Sequence, residues 1–464
     1  MKPTCSFKMM LGLALALALG LAACGEDDVA DEATPEGPMP DEAVTWHGQI
    51  APLIEAHCNG CHGETQTVAP FAFTDYDAVM DTLPLIRTAL MARSMPPWGA
   101  VSGVPFVGDI SLDEDEIAMI EAWAEAGAPK GDPMAPGTPI DITGLPFGGS
   151  DVQFQLDTPY AGQPGVRDEY RCFLYEWPGD EVTYVTGMAV APDNAGAVHH
   201  VLTFLVPPAG AEAFDGYEAE DDIPGYKCFG QPYPSTLGPT PAIELPPSAV
   251  VAAWAPGMSD QGMRPGVGIR AEPGSRVVVQ MHYYGLSDSG VPDRTAISFD
   301  TEPVVDRPAC VVPLIDLNWY FTPTSLVLPA GEAVIEKQYT MNPATSFGPS
   351  VCDDVDWQGP LLLQTVMPHM HKLGRRLELT LERADGTTEQ IIDAARYDFD
   401  WQRNYTLSEP LLINPGDNFT VRCVWDNSET HRRAAGLEPT PFDVNWGDGT
   451  EAEMCLVMVQ LSRP

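Results

Sequence analysis

Short apolar runs alternate with turn-forming residues over most of the chain beyond residue 150. The runs are rich in Val, Leu, Thr and Tyr and are bounded by Gly, Pro, Asn and Asp, which is typical of β-strands. The clearest runs cover residues 182–190, 198–207, 276–284, 361–367, 377–381, 419–424 and 454–461. Roughly 310 residues of this pattern are too many for one sandwich, so they predict two jelly-roll-like all-β sandwich domains, over 151–305 and 306–464.

A helical pattern precedes these strands. Apolar residues spaced three and four apart form a face near each end of the segment: Trp46, Ile50, Leu53 and Ile54, then Ile117, Ile120 and Trp123. Ser111 followed by Glu114 predicts a capping box at the start of the last helix, and Gly127 predicts its end. We therefore expect a small all-α domain over 46–130, joined to the strands by a Pro/Gly-rich linker over 131–150.

The first residues predict export. Lys2 and Lys8 precede an apolar run without acidic residues, as in a secretory leader over residues 1–23. The leader ends in Leu-Ala-Ala-Cys, which resembles the cleavage box of bacterial lipoproteins, so Cys24 would carry the lipid. An ordinary leader cut near Ala23 is the alternative. With the acidic tether 24–45, this predicts an exported lipoprotein at the periplasmic face or outer membrane, attached through its lipid alone.

Charge and cysteine content narrow the function further. The 66 acidic residues against 24 Lys and Arg give a net charge of −42, which argues against nucleic-acid binding. Cys5 leaves with the leader, and six cysteines have no other predicted role: Cys172, Cys228, Cys310, Cys352, Cys423 and Cys455. An even number in an oxidising compartment predicts three disulfides, although 15 connectivities stay open.

Cys58, Cys61 and His62 form a C-x-x-C-H motif. This spacing allows both thiols to form thioether bonds with one c-type haem while the imidazole binds its iron. A disulfide pair or half of a zinc site is the alternative. Met95 is the best candidate for the second axial ligand, in competition with the side chains Met80, Met91 and His47. The segment 46–130 thus resembles a small class I cytochrome c of the type fused to secreted oxidoreductases.

Five of the nine histidines stand in three short motifs. These are the adjacent pair His199 and His200, the single His282, and the pair His369 and His371. In a strand, His369 and His371 point to the same face, so both can bind one metal ion. The adjacent pair His199 and His200 would diverge, and sharing an ion would require a β-bulge or different ring nitrogens.

These motifs closely resemble the copper type II, ascorbate-dependent monooxygenases, the family of peptidylglycine α-hydroxylating monooxygenase and dopamine β-monooxygenase. The matching segments are 168–172 (DEYRC), 198–204 (VHHVLTF), 280–283 (QMHY), 369–374 (HMHKLG) and 453–455 (EMC). The resemblance implies two copper ions, one on each sandwich, facing a solvent cleft.

The resemblance also implies a role for each ligand set. His199, His200 and His282 would hold the electron-transfer copper. His369, His371 and Met454 would hold the catalytic copper, where O2 and substrate meet. A soft thioether such as that of Met454 favours Cu(I). The implied disulfides are Cys172–Cys228 and Cys423–Cys455, which leaves Cys310–Cys352 as the third pair.

The substrate pocket departs from the family pattern. In the peptidylglycine enzymes Arg, Asn and Tyr grip a peptide carboxylate, whereas those positions here are Met367, Leu456 and Met458. We expect a C–H bond of a small apolar or aromatic molecule to be hydroxylated with O2. The electrons would come from ascorbate, another reductant, a redox partner protein or the fused haem.

Two other functions remain open at this point. A periplasmic electron-transfer or copper-binding protein could keep the ligands without oxygenase activity, and the altered pocket favours this alternative. A surface or adhesion lipoprotein with incidental histidines would bind no stoichiometric copper.

Overall fold

The computed structural model describes residues 43–464, apart from 65–68, 70, 143, 220–221, 238–245, 256–257, 259–260, 347, 353, 448 and 450. The described helices and strands all lie in one compact unit, Val44–Pro464. The predicted leader, the lipidation site Cys24 and most of the acidic tether lie outside the described residues.

Helices are concentrated before residue 126. The α-helices are α1 Ala51–His57, α2 Asn59–His62, α3 Tyr76–Met91, α4 Glu114–Glu125, α5 Pro208–Ala219, α6 Leu286–Ser289, α7 Leu317–Phe321, α8 Gly348–Val351 and α9 Glu429–Ala434. A π-helical turn over Trp46–Ile50 leads into α1, and 3₁₀ turns cover Ser235–Leu237, Pro323–Ser325, Pro343–Thr345 and Phe399–Trp401.

Strands form most of the remainder. The first half contains β1 Ser102–Gly103, β2 Val152–Gln155, β3 Asp168–Glu176, β4 Thr183–Ala191, β5 Val198–Val206, β6 Tyr226–Phe229, β7 Gln231–Pro234, β8 Ala249–Trp254, β9 Gln261–Gly262, β10 Val267–Ala271, β11 Arg276–Tyr284 and β12 Ala296–Glu302. The second half contains β13 Arg307–Ile315, β14 Val327–Leu328, β15 Ile335–Met341, β16 Leu361–Met370, β17 Gly374–Glu382, β18 Thr388–Ala394, β19 Tyr405–Ile413, β20 Asn418–Trp425, β21 Val444–Asn445 and β22 Cys455–Ser462.

One large sheet runs through both halves of the β region. Its main path is β2-β12-β4-β10-β13-β8-β5-β11-β3-β6-β7, and β22 continues from β13 to β16 and β19. A five-stranded sheet, β1-β18-β17-β20-β15, combines four strands of the second half with the short strand β1. Strand β13 is the link, because it pairs in parallel with β10 and antiparallel with β22.

Each region buries its own apolar side chains. The helical segment packs around Trp46, Ile50 and Trp123. The first β region packs around residues such as Phe299 and Val279, and the second around residues such as Trp425 and Leu363. Trp98, from the connection that follows α3, belongs to the last group and thereby anchors the helical segment to the second β region.

The prediction of a mostly β chain is confirmed. All seven predicted runs form strands, namely β4, β5, β11, β16, β17, β20 and β22. The described residues of 131–150 form neither helix nor strand and pack against their neighbours, since Gly137 N donates to His47 O at 2.8 Å.

The predicted capping residue Ser111 is wrong by two positions. Asp113 caps α4 instead, because its carboxylate accepts from Glu116 N at 2.8 Å and the Glu116 carboxylate accepts from Asp113 N at 2.9 Å. An ionised side chain at each end of this pair forms stronger hydrogen bonds than a serine hydroxyl does. Gly127 follows the helix with φ 84°, as expected for the residue after a C-cap.

The three predicted disulfides are confirmed. The bonds join Cys172 to Cys228, Cys310 to Cys352 and Cys423 to Cys455, across Cα distances of 5.8, 6.2 and 6.1 Å. Three disulfides are typical of proteins from an oxidising compartment. Within the described part of the chain, helices that combine the length and the apolar character needed to span a bilayer are absent.

Candidate metal centres

Three imidazoles converge at the ends of β5 and β11. His199, His200 and His282 each offer a nitrogen within 4.8 Å of the others. The nitrogens His199 Nδ1, His200 Nε2 and His282 Nδ1 are buried and have no hydrogen-bond partner among the residues that the structure describes. A buried polar atom without a partner costs free energy, and a metal ion would satisfy all three at once.

A β-bulge brings the adjacent histidines together. His200 lies opposite His282, whereas the next residue of β11, Tyr283, lies opposite Val198, so His199 is the extra residue of β5. The pair also presents different nitrogens, Nδ1 from His199 and Nε2 from His200. Both of the conditions anticipated for sharing one ion are therefore present.

Two carboxylates orient this trio. His282 Nε2 donates to Asp168 Oδ1 at 2.7 Å, and His199 Nε2 lies 3.5 Å from Asp400 Oδ1. The Tyr170 ring stacks on His282 with centroids 4.0 Å apart. A carboxylate on the far nitrogen fixes the tautomer, so the other nitrogen stays unprotonated and can bind a metal.

His369 lies in β16, and His371 directly follows the end of that strand on the same face. Their ring centroids are 5.2 Å apart. His369 Nδ1 donates to Gln402 Oε1 at 2.7 Å, and His371 Nδ1 donates to Ala452 O at 3.1 Å. Each ring thus retains its Nε2 as the acceptor nitrogen.

Met454 precedes β22 directly. Met370 pairs with Cys455, so continuing the antiparallel register by one residue sets Met454 opposite His371. Met454 is 9% exposed, and the disulfide of the neighbouring Cys455 ties the start of β22 to β20.

Glu453 holds the backbone around this second group. Its carboxylate accepts from His371 N at 3.0 Å, from Leu373 N at 2.7 Å and from Trp425 Nε1 at 2.9 Å. Burial raises the pKa of Glu453 to about 8, against the opposing effect of these donors. Because three donors converge on one buried side chain, the loop that carries His371 is firmly positioned.

The two histidine groups face the same phenyl ring. The Phe399 centroid lies 6.0 Å from that of His199, 5.7 Å from that of His200 and 5.9 Å from that of His371. The groups are also close enough that positive charge on His369 or His371 disfavours protonation of His200. One aromatic ring therefore contacts both histidine groups.

Burial keeps the imidazoles neutral. Burial lowers the pKa of His369, and it lowers that of His371 to about 3. It likewise lowers the pKa of His200 and His282, and in His282 the hydrogen bond to Asp168 opposes this effect. Neutral imidazole is the form that binds metals, so these four rings are available as ligands at neutral pH.

The C-x-x-C-H motif forms one helical turn. The Cys58 carbonyl accepts from both Cys61 N and His62 N, at 3.0 and 2.9 Å. Neither cysteine forms a disulfide within the described residues, and burial raises the pKa of the Cys58 thiol to about 12. His62 Nδ1 donates to Phe71 O at 2.7 Å, which leaves Nε2 unprotonated.

A cavity of about 950 Å³ opens beside this turn. Its lining includes Cys58, Cys61, His62 and Met95. Of the competing axial ligands, Met80 packs against the helical core and Met91 is 70% exposed, while His47 is not part of the lining.

A smaller cavity of about 160 Å³ lies between the two β regions. Met367 and Met458 pair across β16 and β22 and both line it, two pairs along the strands from His369 and Leu456. Leu456 is 8% exposed and lies opposite His369 rather than in the lining.

Four residues of this centre were missed by the sequence analysis: Phe399, Asp400, Gln402 and Glu453. The first three stand in one 3₁₀ turn and the residue after it, distant in sequence from the histidines that they contact. No motif spacing marks them. Glu453 was noted only as part of the motif that contains Met454, and its buried hydrogen bonds could not be foreseen.

A mostly β chain that gathers three histidines with unpartnered ring nitrogens, beside a second pair of histidines, has the character of a metal-binding protein. Residues 333–460, which include His369, His371 and Met454, match the family model described as copper type II ascorbate-dependent monooxygenase, C-terminal domain. The match supports an oxidoreductase of the monooxygenase class, and the family that the model describes depends on copper and ascorbate.

Other comparisons add little. No curated protein was found to match the chain. Matching solved structures include allantoicase, with 11% identity over 57% of this chain and 79% of that chain at a TM-score of 0.16. A subviral particle of VP2 from infectious bursal disease virus has 9% identity over 67% of this chain and 77% of that chain, with a TM-score of 0.15. Likenesses with such TM-scores carry no argument about fold or function.

We predict that Asp168→Ala weakens metal binding by the trio of His199, His200 and His282 by about 10–100-fold, because His282 loses the group that fixes its tautomer. Competitive titration of the purified chain with Cu(I) and Cu(II) against a chelator measures the change. The control is Asp180→Ala, which removes an exposed carboxylate. Equal affinities in the two variants would show that Asp168 does not orient the ligand.

Proposed function

We propose that the chain is an exported copper-dependent monooxygenase that hydroxylates a C–H bond of a small apolar or aromatic molecule. One atom of O2 enters the C–H bond and the other becomes water, with two electrons from a reductant and two protons. The observation that carries the proposal is the convergence of three buried, unpartnered ring nitrogens, with the second pair of histidines beside the same Phe399 ring. That second pair lies within the segment that matches the monooxygenase family.

The residues divide into two ligand sets. We assign His199, His200 and His282 to an electron-transfer copper, and His369, His371 and Met454 to the copper where O2 reacts. When bound, copper supplies one-electron redox chemistry and the reduction of O2. Imidazole suits both copper valences, and the Met454 thioether favours the reduced one.

The small cavity supports the proposed substrate class. Its volume of about 160 Å³ is close to that of a cavity of roughly 150 Å³ known to bind benzene in another protein. The polar groups in its wall are largely paired with one another, since Asn404 Nδ2 donates to Gln261 Oε1 and Gln460 Nε2 contacts Met263 Sδ at 3.3 Å. We therefore propose a substrate about the size of a single aromatic ring.

The distance along the strands fits this arrangement. Met367 lies two residues before His369 on the same face of β16, which is about 7 Å at the usual rise of a strand. Its partner Met458 stands four residues after Met454 on the same face of β22. A molecule held between the two methionine side chains would thus have its end near the proposed oxygen site.

We also propose that one c-type haem is attached at the helical segment. Each thiol of Cys58 and Cys61 would add across a haem vinyl group, so that a C–S bond forms and the thiol hydrogen moves to the other vinyl carbon. His62 and Met95 would be the axial ligands. When bound, the haem supplies one-electron redox chemistry, so the reductant could be ascorbate or a redox partner protein acting through the haem.

The disulfides and Cys24 bear on where the protein is located in the cell. The disulfides favour an oxidising compartment. We propose that lipid on Cys24 attaches the exported chain to a membrane, at the periplasmic face or the outer membrane.

We predict that Met454→Ala lowers O2-dependent product formation by more than about 100-fold, because it removes a proposed copper ligand and the loss of a group that only orients a ligand already costs about 10–100-fold. The measurement combines copper per chain with reductant-dependent product formation over a panel of small apolar and aromatic compounds. Met134→Ala is the control, since Met134 is 86% exposed.

Equal product from both variants would remove Met454 from the mechanism. Two coppers per wild-type chain without any O2-dependent product would instead favour an electron-transfer or copper-binding protein.

We predict that Met458→Trp reduces kcat/KM for ring-sized substrates by more than about 100-fold while copper binding is unchanged, because the larger side chain fills the small cavity. Met458→Leu, which nearly conserves volume, is expected to retain activity. Steady-state kinetics over substrates of increasing size provide the measurement, and an unaltered size preference in Met458→Trp would place the substrate elsewhere.

We predict that the wild-type chain, produced where c-type haem is attached, retains one haem after denaturation, whereas Cys58→Ala/Cys61→Ala does not. Visible absorption and intact mass of the denatured chain measure this. Met95→Ala should retain the haem but lower its reduction potential, since a thioether ligand raises it. Met91→Ala is the matched control, and an equal fall in both variants would exclude Met95 as the ligand.

A further inference from the structure

The large cavity beside the C-x-x-C-H turn has two walls. One wall belongs to the helical segment and contains Cys58, Cys61, His62 and Met95. The other wall, by which we mean the lining residues of the β region, includes Trp254, Met258, Trp401 and Arg403. A haem attached to the first wall would therefore be enclosed by the second, which is formed by residues about 200 and 340 positions further along the chain.

Arg403 is the one Lys or Arg in the described lining of this cavity. Its guanidinium lies close enough to Cys61 for each to influence the other's ionisation. The guanidinium carbon is 5.6 Å from the centroid of the Trp98 ring, so an aromatic face holds it in place. Burial lowers the pKa of Arg403, but an arginine remains charged at neutral pH.

A positive charge at this position matters to a haem for two reasons. The haem carries two propionate carboxylates, which pair well with a guanidinium fork. Oxidation of the iron also adds one positive charge, which a nearby cation disfavours, especially in a site shielded from water. A guanidinium that neutralises the propionates, and a positive charge close to the iron, both disfavour the oxidised haem. Each therefore raises the reduction potential of a haem near Arg403.

The 3₁₀ turn Phe399–Trp401 and the residue after it also contact the histidine groups. Phe399 contacts rings of both groups, Asp400 pairs with His199, and Gln402 accepts from His369. Trp401 and Arg403 then line the cavity. Within five consecutive residues the chain thus touches all three proposed redox sites.

We infer that the haem site is composite: the β region completes it through Trp401 and Arg403, and Arg403 is the positioning residue that compensates the propionates and raises the haem potential. This inference rests on the proposed haem attachment at Cys58 and Cys61. The inference depends on the segment 399–403, because its residues line the large cavity and contact both histidine groups.

The test is potentiometric titration of the haem in the full-length chain, followed by visible absorption. Arg403→Gln should lower the midpoint potential by about 59 mV, which corresponds to a tenfold change in the equilibrium between oxidised and reduced haem. Arg403→Lys keeps the charge without the planar fork and should recover most of the potential. Arg375→Gln, which removes an exposed arginine of the same β region, should leave the potential unchanged.

A second variant is expected to shift the midpoint potential of the haem in the opposite direction. Asp109 is one of the negative charges that act on Arg403, so Asp109→Asn should raise the haem potential. This variant carries the test if Arg403→Gln does not fold, as judged by its circular dichroism.

The outcomes separate this inference from the proposal on which it rests. A wild-type chain without covalently bound haem would overturn the haem attachment and the composite site together. Covalent haem whose potential is the same in wild type, Arg403→Gln and Asp109→Asn would overturn the role of Arg403 alone. A fall of equal size in Arg403→Gln and Arg375→Gln would reduce the effect to net charge and would also overturn it.

Discussion

Three ring nitrogens, on His199, His200 and His282, are buried without a hydrogen-bond partner in the described structure. Each such atom costs roughly 1–3 kcal/mol when nothing satisfies it. The surrounding structure maintains this arrangement through the bulge in β5, the carboxylates of Asp168 and Asp400, and the stacked ring of Tyr170. Elements that stabilise an otherwise unfavourable arrangement are typical of a site built for a ligand, because a metal ion would convert the cost into binding free energy.

The segment 399–403 organises the rest around this trio. A 3₁₀ turn changes the direction of successive side chains, so neighbours in sequence can reach different sites. Phe399, Asp400 and Gln402 turn towards the histidines, while Trp401 and Arg403 turn towards the large cavity. Arg403 also lines the small cavity between the β regions. One short connection thereby links the large cavity, the two histidine groups and the small cavity in space.

Much of the fold and of the site could be predicted from local pattern. Strands β5, β11, β16 and β22 follow from short apolar runs, since alternation along a strand depends on nearest neighbours. The C-x-x-C-H turn is equally local. The cap of α4 shows the limit even at short range: Ser111 and Asp113 are both good capping residues, and the hydrogen bonds of Glu116 decide for Asp113.

The sequence by itself determined which side chains have the chemistry: the clustered histidines, the methionine beside Cys455, the paired thiols and the even number of remaining cysteines. Only the tertiary structure decided how closely the two histidine groups approach, which carboxylates and amides orient them, and that the β region supplies part of the lining of the large cavity beside the C-x-x-C-H turn. The physical reason is that these contacts join residues hundreds of positions apart, such as Cys61 and Arg403. Such contacts depend on how whole sheets pack, which no local periodicity encodes.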